Sequence, residues 1–326
     1  MRRRVLLLCA LLASLLRWAI FYSRLHTFFY SRPEIATPLN SFKRLLEGLA
    51  LEEQGLSPYA GESFHEVPIV LALFRFILKG GKASVHLFFV LCDLWTALCL
   101  GFAAQEYLLR AHELRLWRKK KGWKEEVALA PQDPIRARAL VALGYLFNPF
   151  SIMSCAAATT SVLQNALLAS AFYYMLKKKL WRCQLSLVLA AHQGFYTAAL
   201  AVPAALFYAQ KFTLDGIKTN WVKVGGSEFL SASYGFMLNV PDLTPNVGLF
   251  WYFLAEMFEH FRHFFLAVFQ INTLVYILPL AITLRDSAGF LYLELLMLLG
   301  IFKPYPSVAD SAIFLSFLPA LSHLFH

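Results

Sequence analysis

The chain has 326 residues, of which 59% are hydrophobic and 15% charged, with a mean hydropathy of +0.55. Soluble domains carry roughly 45–50% apolar and about 25% charged residues, so this composition excludes an ordinary soluble domain and indicates a protein of the lipid bilayer. The formal net charge is +10, but the basic residues form short runs beside apolar segments, at 2–4, 110–124 and 177–179, which argues against nucleic-acid binding and is typical of cytoplasmic loops.

An N-terminal apolar run predicts the first membrane helix. Residues 5–22 follow three arginines, and Arg17 with the bulky side chains from Trp18 to Tyr22 stands where a cleavable signal peptide needs small residues. We therefore expect a retained signal anchor with a cytoplasmic N-terminus, which makes residues 23–66 a lumenal loop.

Two apolar runs of different length follow this loop. Residues 67–78 are too short to cross a hydrocarbon core of about 30 Å, which needs about 20 residues, and so predict a tilted or re-entrant helix. Residues 83–108 are long enough to span. The basic residues 110–138 then predict a cytoplasmic loop, which agrees with the cytoplasmic N-terminus after two crossings.

A proline interrupts the next apolar run, residues 139–176. Proline removes a helical hydrogen bond and disfavours the α conformation of the residue before it, so Asn148-Pro149 predicts two short helices with a turn near the lumenal side. The Asn148 side chain is placed to cap the backbone groups that this break leaves free. Residues 184–208 predict another span.

The C-terminal third alternates mixed and apolar stretches. Residues 210–230 are mixed polar with no spanning run, residues 249–284 are apolar at both ends, and two more apolar runs lie at about 288–302 and 307–325. The loop between these last two offers Lys303 and Asp310 as an ion pair. The whole chain, 1–326, thus predicts one all-α polytopic membrane domain with about eight or nine membrane helices.

The segment 241–262 is the main candidate site, intramembrane or interfacial, because polar side chains at membrane depth are expensive and often functional. Asp242 and Asn246 lie in a proline-bracketed turn, and on one continuous helix Glu256 would touch His260 and Glu259 would touch His263. The candidate lipid- and headgroup-binding residues are Phe250, Trp251, Phe253, Glu256, Glu259 and His260. Two other interpretations are a metal site with Glu-x-x-x-His spacing, which lacks a third ligand nearby, and an interfacial helix whose charges simply reach water.

Two weaker signals lie elsewhere. His65 and Glu66 precede an apolar helix, so they are either an acid–base pair or a helix-start signal ahead of Pro68. The five cysteines lie in or beside apolar runs, and their spacing predicts neither a zinc site nor a disulfide framework. We expect no catalytic set, no cofactor and no metal in this chain.

Five sequence runs, in order along the chain, resemble the PIG-U family of GPI transamidase subunits. They are SPYAGESFHEVP at 57–68, FNPFSIMSC at 147–155, PDLTPNVGLFWYFLAEMFEHFR at 241–262, FQINTLVYILPLAI at 269–282 and FKPYPSVAD at 302–310. The match of 22 residues at 241–262 is far more specific than a short motif, and the loop from Pro38 to Gly55 is similar too.

The resemblance implies a role in attaching GPI anchors to proteins in the endoplasmic reticulum membrane. GPI transamidase cleaves a C-terminal signal and joins the new carboxyl group to the ethanolamine of the GPI lipid, with its nucleophilic cysteine in the PIG-K subunit. This chain would be a multi-pass, non-catalytic partner of PIG-T, PIG-K, PIG-S and a GAA-type subunit, with a fold like that of GT-C glycosyltransferases. Residues 250–260 would bind GPI lipid, with His65, Glu66, Asn148, Asp242 and Asn246 as second candidates.

The chain departs from the family pattern in two places. The family has another hydrophobic stretch where residues 216–230 stand, and its members continue beyond residue 326, so we expect a chain shortened internally and at its C-terminus.

The alternative function is that of a GT-C mannosyltransferase using dolichol-linked sugar, which needs an acid, usually Asp, in the first lumenal loop. The first 92 residues contain no Asp, although they contain six Glu. A transporter, with buried Glu and His relaying protons, would need paired inverted halves that are not evident.

Overall fold

The computed structural model describes residues 3–120, 133–209, 228 and 230–322. This part of the chain is helical and contains no strand. Helices α1 to α16 are, in order, Arg3–Phe21, Arg24–Tyr30, Phe42–Glu53, Pro68–Leu78, Lys82–Lys120, Pro134–Leu146, Pro149–Ala156, Ser161–Leu176, Leu180–Gln193, Ala201–Ala209, Phe236–Asn239, Phe250–Glu256, Arg262–Val275, Ile277–Thr283, Ala288–Phe302 and Val308–Leu321. Short 3₁₀ turns at Phe195–Leu200, Glu259–Phe261 and Arg285–Ser287 and a π-helical turn at Leu230–Gly235 join some of them.

Three helical stretches are long and apolar enough to cross a membrane: Arg4–Phe21, Lys82–Glu113 and Glu259–Thr283. Each contains an 18-residue window with a mean hydropathy of 2.0. A bent pair, α6 with α7, passes the same test as one broken span with an angle of 44°. These stretches confirm an all-α membrane protein. They also confirm span-length apolar helices at the N-terminus and at 83–108.

One predicted span is wrong. Helix α5 continues to Lys120, so the basic segment predicted from residue 110 begins as a helix. The predicted span 184–208 is not one helix, because Gly194 is extended and separates α9 from a 3₁₀ turn and α10. Glycine is a poor helix former, and a Cβ at Gly194 would stand 2.8 Å from Nε2 of Gln164 on α8. The predictions for 121–132 and 210–227 lie outside the described residues.

The predicted break at Asn148-Pro149 is confirmed. The prediction of only two helices over 139–176 is wrong, because the chain also leaves the helical conformation at Ala158, with φ of 53°, and α8 begins only at Ser161. Helix α6 ends at Leu146, and Oδ1 of Asn148 accepts a hydrogen bond of 2.9 Å from the Phe150 N–H at the start of α7. Pro149 is the first residue of α7, where its missing N–H removes no helical hydrogen bond. The apolar runs predicted at 67–78 and 288–302 are present as α4 and α15, and the run predicted at 307–325 is present as α16 up to Leu321, with 323–325 outside the described residues.

The largest hydrophobic cluster lies between α5, α6, α8, α9, α15 and α16. On α8, the ring of Phe172 stacks on Tyr292 at 4.8 Å and meets Phe317 edge-on at 5.3 Å. Helices α5 and α6 approach so closely at Gly101 that a Cβ there would stand 2.9 Å from the Arg138 carbonyl oxygen. Small residues allow such close helix packing in membranes. Segments far apart in sequence thus enclose one interior.

A buried ion pair ties the N-terminal helix to this interior. Nε of Arg17 on α1 lies 2.7 Å from Oδ2 of Asp93 on α5, and both side chains are 1% exposed. The Tyr145 hydroxyl donates to Oδ1 of Asp93, while Arg17 also donates to the Leu146 carbonyl and to Oγ of Ser151. Each charge therefore has several partners, which offsets the cost of removing it from water.

Candidate functional site

A polar cavity lies where the loop before α3 and the start of α4 meet α8, α9, α15 and α16. Its volume is ≈ 70 Å³, enough for several water molecules or a small polar group, since one water needs about 10–15 Å³. Its polar lining is formed by Thr37, Asn40, Glu66, Thr160, Ser161, Gln164, Asn165, Gln193, Thr197, Lys303, Tyr305 and Asp310. We call this space the Thr160 cavity.

Thr160 and Ser161, at the start of α8, organise one wall of the cavity. The Thr160 N–H donates to the Asn40 carbonyl at 3.0 Å, and Nδ2 of Asn40 donates to Oγ of Ser161 at 2.7 Å. From α9, Nε2 of Gln193 donates to the Thr160 carbonyl at 3.0 Å, and the Thr160 hydroxyl donates to Oε1 of Glu66. Three polar side chains from separate segments are therefore bonded to one dipeptide.

Two oxygen atoms of this wall remain without a partner. Oδ1 of Asn40 and Oε1 of Gln193 are buried and accept no hydrogen bond from the residues that the structure describes. A buried polar atom without a partner costs roughly 1–3 kcal/mol. Such atoms are therefore a reason to expect a bound donor.

Glu66 contributes a buried carboxyl group to the same wall. Its side chain is 5% exposed, and burial raises its pKa to about 8 against the opposing effect of the Thr160 hydroxyl. Pro68 occupies the first turn of α4, as the helix-start interpretation predicted. Glu66 thus lies just before the start of α4 and also lines the cavity.

His65 and Glu66 have different partners. The His65 ring stacks on Phe236 at 3.6 Å, and its Nδ1 lies 2.9 Å from the Ala232 carbonyl oxygen. Burial lowers the pKa of His65. Among the described contacts, no hydrogen bond joins His65 to Glu66, so this geometry does not form the acid–base pair considered from the sequence.

The predicted Lys303–Asp310 ion pair is confirmed and lies at the cavity wall. Nζ of Lys303 stands 2.6 Å from Oδ1 of Asp310. The other carboxylate oxygen, Oδ2, accepts from the Ser307 N–H at 2.7 Å and completes a capping box at the start of α16. Lys303 is thus held by a carboxylate that is itself anchored to a helix N-terminus.

The continuous helix predicted through 250–263 is wrong. Helix α12 ends at Glu256, Met257 and Phe258 are extended, and α13 begins only at Arg262. The two Glu–His pairs four residues apart are therefore not on one helix turn. Tertiary contacts outweigh local helix propensity here, because Arg262 donates to the Val240 carbonyl and Phe253 packs against Phe269 across the break.

The first-choice candidate residues lie outside the Thr160 cavity. Phe250 is buried, whereas Phe253 is 43% exposed and Glu256, Glu259 and His260 are exposed. Trp251 donates from Nε1 to the Asn246 carbonyl at 2.8 Å, which fixes the indole against the preceding turn. The segment thus presents aromatic and charged side chains outward.

The remaining second-choice residues have structural partners. Asp242 forms an ion pair of 3.1 Å with Arg44, and Asn246 accepts from the Gly248 N–H at 2.8 Å. Burial acts to raise the pKa of Asp242, but hydrogen bonds from Thr244 and Arg44 outweigh it and lower the pKa. Asn148 caps α7 and donates to Oγ of Ser316 at 3.3 Å, away from the residues that line the cavity.

Sequence reasoning missed most of the cavity wall. Asn40, Thr160 and Gln193 belong to segments separated by tens of residues, and hydrogen bonds bring them together. One signal was available: Gln193 and the pair Gln164-Asn165 are polar residues inside apolar runs, where such side chains are expensive.

Fold and cavity together define an integral membrane protein that keeps a polar site among its helices. The family model described as GPI transamidase subunit PIG-U matches residues 8–227 and 216–326. The chain is 36% identical over 351 residues to the GPI-anchor transamidase component PIGU of Homo sapiens, covering 98% of this chain and 79% of that protein. It is 30% identical to the GPI transamidase component GAB1 homolog of Schizosaccharomyces pombe, covering 93% and 74%. The chain belongs to the PIG-U family, as its sequence runs indicated.

Proposed function

We propose that this chain is a non-catalytic subunit of GPI transamidase in the endoplasmic reticulum membrane. It helps to hold the GPI lipid and assembles with PIG-T, PIG-K, PIG-S and a GAA-type subunit. The observation that carries this proposal is the family match, which extends over nearly the whole chain. The helices apolar enough to cross a bilayer support a role within the membrane.

The segment from α12 to α14 is the proposed lipid-facing surface. The stretch Glu259–Thr283 contains an 18-residue window with a mean hydropathy of 2.0, and only 11% of that window is buried. At its start, Phe253 and Trp251 would lie along acyl chains, with Phe250 packed beneath them, while Glu256, Glu259 and His260 would face the headgroup. An exposed apolar helix beside exposed acids suits a ligand with both a tail and a polar head.

The remaining architecture is proposed on the same basis. Shorter apolar helices at Pro68–Leu78, Phe195–Ala209 and Val308–Leu321 supplement the long ones. We propose that they belong to one membrane domain of about eight or nine helices with a GT-C-like arrangement, as the resemblance to the family implies. Residues 23–66 would be lumenal and residues 110–138 cytoplasmic, following the basic residues of the latter.

A rescue assay tests the function. The 326-residue chain is expressed in cells lacking PIG-U, a GPI-anchored reporter is measured at the cell surface, and PIG-T and PIG-K are pulled down. We expect the reporter to return and both subunits to co-purify. An inserted chain that neither restores the reporter nor binds these subunits would refute the proposed function.

The same assay tests the site. Ala substitutions at Phe253, Glu256, Glu259 and His260 together should reduce the reporter severalfold while PIG-T and PIG-K still co-purify. A control with Ala at Phe76 and Trp181, which are 72% and 78% exposed, should behave as wild type. If the four-site variant attaches GPI anchors at the wild-type level, the assignment of this surface is wrong.

One observation favours the alternative GT-C mannosyltransferase. Glu66, an acid in the loop predicted to be lumenal, lines the Thr160 cavity with a pKa raised to about 8. A group titrating near neutral pH suits general acid–base chemistry. The purified chain would be supported as a mannosyltransferase if it transferred mannose from dolichol-linked sugar and Glu66→Gln abolished that transfer. A chain that rescues PIG-U-deficient cells but transfers no mannose would exclude this alternative.

A further inference from the structure

We propose that the Thr160 cavity binds a primary ammonium group of the kind carried by a phosphoethanolamine headgroup. The inference deepens the proposed function, on which it rests for the expectation that a lipid headgroup reaches this part of the chain. It concerns Asn40, Gln193 and Glu66, a site distinct from the exposed segment at 250–260.

The orientation of the two amide side chains shows which of their atoms lack partners. Nδ2 of Asn40 stands 2.7 Å from Oγ of Ser161 and 3.4 Å from the Ile35 carbonyl oxygen, and Nε2 of Gln193 stands 3.0 Å from the Thr160 carbonyl oxygen. Reversing either amide would place an oxygen against a carbonyl oxygen. The free atoms are therefore Oδ1 and Oε1, both acceptors, and both lack a partner among the described residues.

Glu66 adds a carboxyl group to this wall, and the ionised form of that group supplies a third acceptor. Its Oε1 is bonded to the Thr160 hydroxyl, and Thr160 also contacts Asn40 and Gln193 through its backbone. The three side chains are thus tied to one residue and line one cavity. Oδ1 of Asn40 and Oε1 of Gln193 are buried, and Glu66 is 5% exposed, so bulk water does not satisfy these atoms.

Acceptors of this kind favour an ammonium group over other ligands. An ammonium group has three N–H donors and no acceptor, whereas a hydroxyl group would also need a donor for its own oxygen. The cation already present, Lys303, is held by Asp310 at 2.6 Å. A calcium ion takes 6–8 oxygen ligands, often from several carboxylates. Of the two carboxyl groups that line this cavity, Asp310 is bonded to Lys303, so Glu66 alone would be available to a metal ion.

The cavity also suits the rest of a small headgroup. Its volume of ≈ 70 Å³ and its apolar lining, including Leu168, Leu296 and Leu299, leave room beside the three acceptors for the methylene groups that carry an amine. A trimethylammonium group has no N–H, so it cannot satisfy the free oxygens. This difference provides a test with matched probes.

The experiment measures binding of O-phosphoethanolamine and O-phosphocholine to the full chain, purified in detergent with the subunits that accompany it. We expect phosphoethanolamine to bind at least about tenfold more tightly, which corresponds to about 1.4 kcal/mol. Glu66→Gln should reduce its affinity by a similar factor, because a bound ammonium group favours ionisation of the neighbouring carboxyl group and an amide cannot ionise. Glu62→Gln, the same change at an exposed residue of the same loop, should leave it unchanged.

A second variant guards against a folding defect in Glu66→Gln. Gln193→Leu removes one acceptor without altering the carboxyl group and should also weaken phosphoethanolamine selectively. Equal binding of the two probes by the wild-type chain, or undiminished selectivity in both variants, would overturn the proposal and leave ordered water as the occupant. Displacement of the probe by phosphatidylethanolamine nanodiscs would identify bulk lipid as the source, and displacement by a GPI glycolipid alone would identify the substrate.

The two proposals fail in different ways. A chain that discriminates the probes but neither rescues PIG-U-deficient cells nor binds PIG-T and PIG-K would refute the proposed function and keep the ammonium site. A chain that rescues those cells without discriminating the probes would refute the ammonium site alone.

Discussion

The Thr160 cavity and the segment 241–262 both concentrate polar side chains in an apolar protein, but they handle them in opposite ways. The cavity collects amide, hydroxyl and carboxyl groups from several segments and buries them. The segment 241–262 is continuous in sequence and leaves Glu256, Glu259 and His260 exposed. A run of polar residues in the sequence therefore does not indicate where polar side chains are buried.

The difference has a physical basis. An exposed charge on a surface segment keeps its water or headgroup contacts, so it needs no protein partner. A buried polar group must be bonded or it destabilises the fold, so each cavity residue is linked to another segment. The cavity should consequently be sensitive to small changes that the exposed segment tolerates.

The largest effect is expected where a buried charge loses its partner. Arg17→Met leaves Asp93 unpaired in the interior and should lower the free energy of unfolding by about 3–5 kcal/mol. Arg75→Met breaks an ion pair with Glu52 whose side chains are 52% and 36% exposed. This substitution should change the free energy of unfolding by less than about 1 kcal/mol. Thermal or denaturant unfolding of the two variants in the same detergent measures the contrast. Similar losses in both would show that burial does not separate the two kinds of polar contact.

A second effect depends on pH. The folded pKa of Glu66 is raised from 4.5 to about 8, so the native state holds a proton that the unfolded state releases. The contribution of Glu66 to the free energy of unfolding should therefore be greatest below pH 4.5. It should fall as the pH rises to about 8, by at most about 1.4 kcal/mol per pH unit. Melting temperatures of Glu66→Gln should show a flatter pH dependence between these values than wild type.

Glu62→Gln is the control for this pH dependence, because Glu62 is exposed in the same loop. Its melting temperatures should follow the wild-type curve. An identical slope in wild type and Glu66→Gln would mean that Glu66 is ionised in the folded protein at neutral pH.

The smallest effect compares two threonine hydroxyls. Thr160→Val removes the donor to Glu66 inside the cavity and should cost about 1–3 kcal/mol. Thr244→Val removes a hydroxyl that donates to Asp242 in the exposed turn at 2.5 Å, and should cost less than about 0.5 kcal/mol. Unfolding measurements on both variants in the same detergent compare their losses of stability. A larger loss for Thr244→Val than for Thr160→Val would reverse the ranking of the two regions.

Much of the fold followed from local signals. Apolar length predicted α1 and α5, and Asn148-Pro149 predicted the break between α6 and α7. The helix end at Glu256 was not predictable in this way, because local propensity favours continuation and the break depends on contacts of Arg262 and Phe253 with other segments. Of the residues predicted to bind lipid or headgroup and the second candidates, only Glu66 lines the cavity, and its hydrogen bond there comes from Thr160, about a hundred positions away.

The class of this protein, its family and the positions of most of its apolar helices followed from the sequence, because hydropathy, proline and long specific runs act locally. Tertiary structure alone decided that Asn40, Glu66, Thr160 and Gln193 share a cavity and that Arg17 pairs with Asp93. The reason is that buried polar groups must find partners, and in this chain those partners lie on distant segments that only the packed helices bring within hydrogen-bond distance.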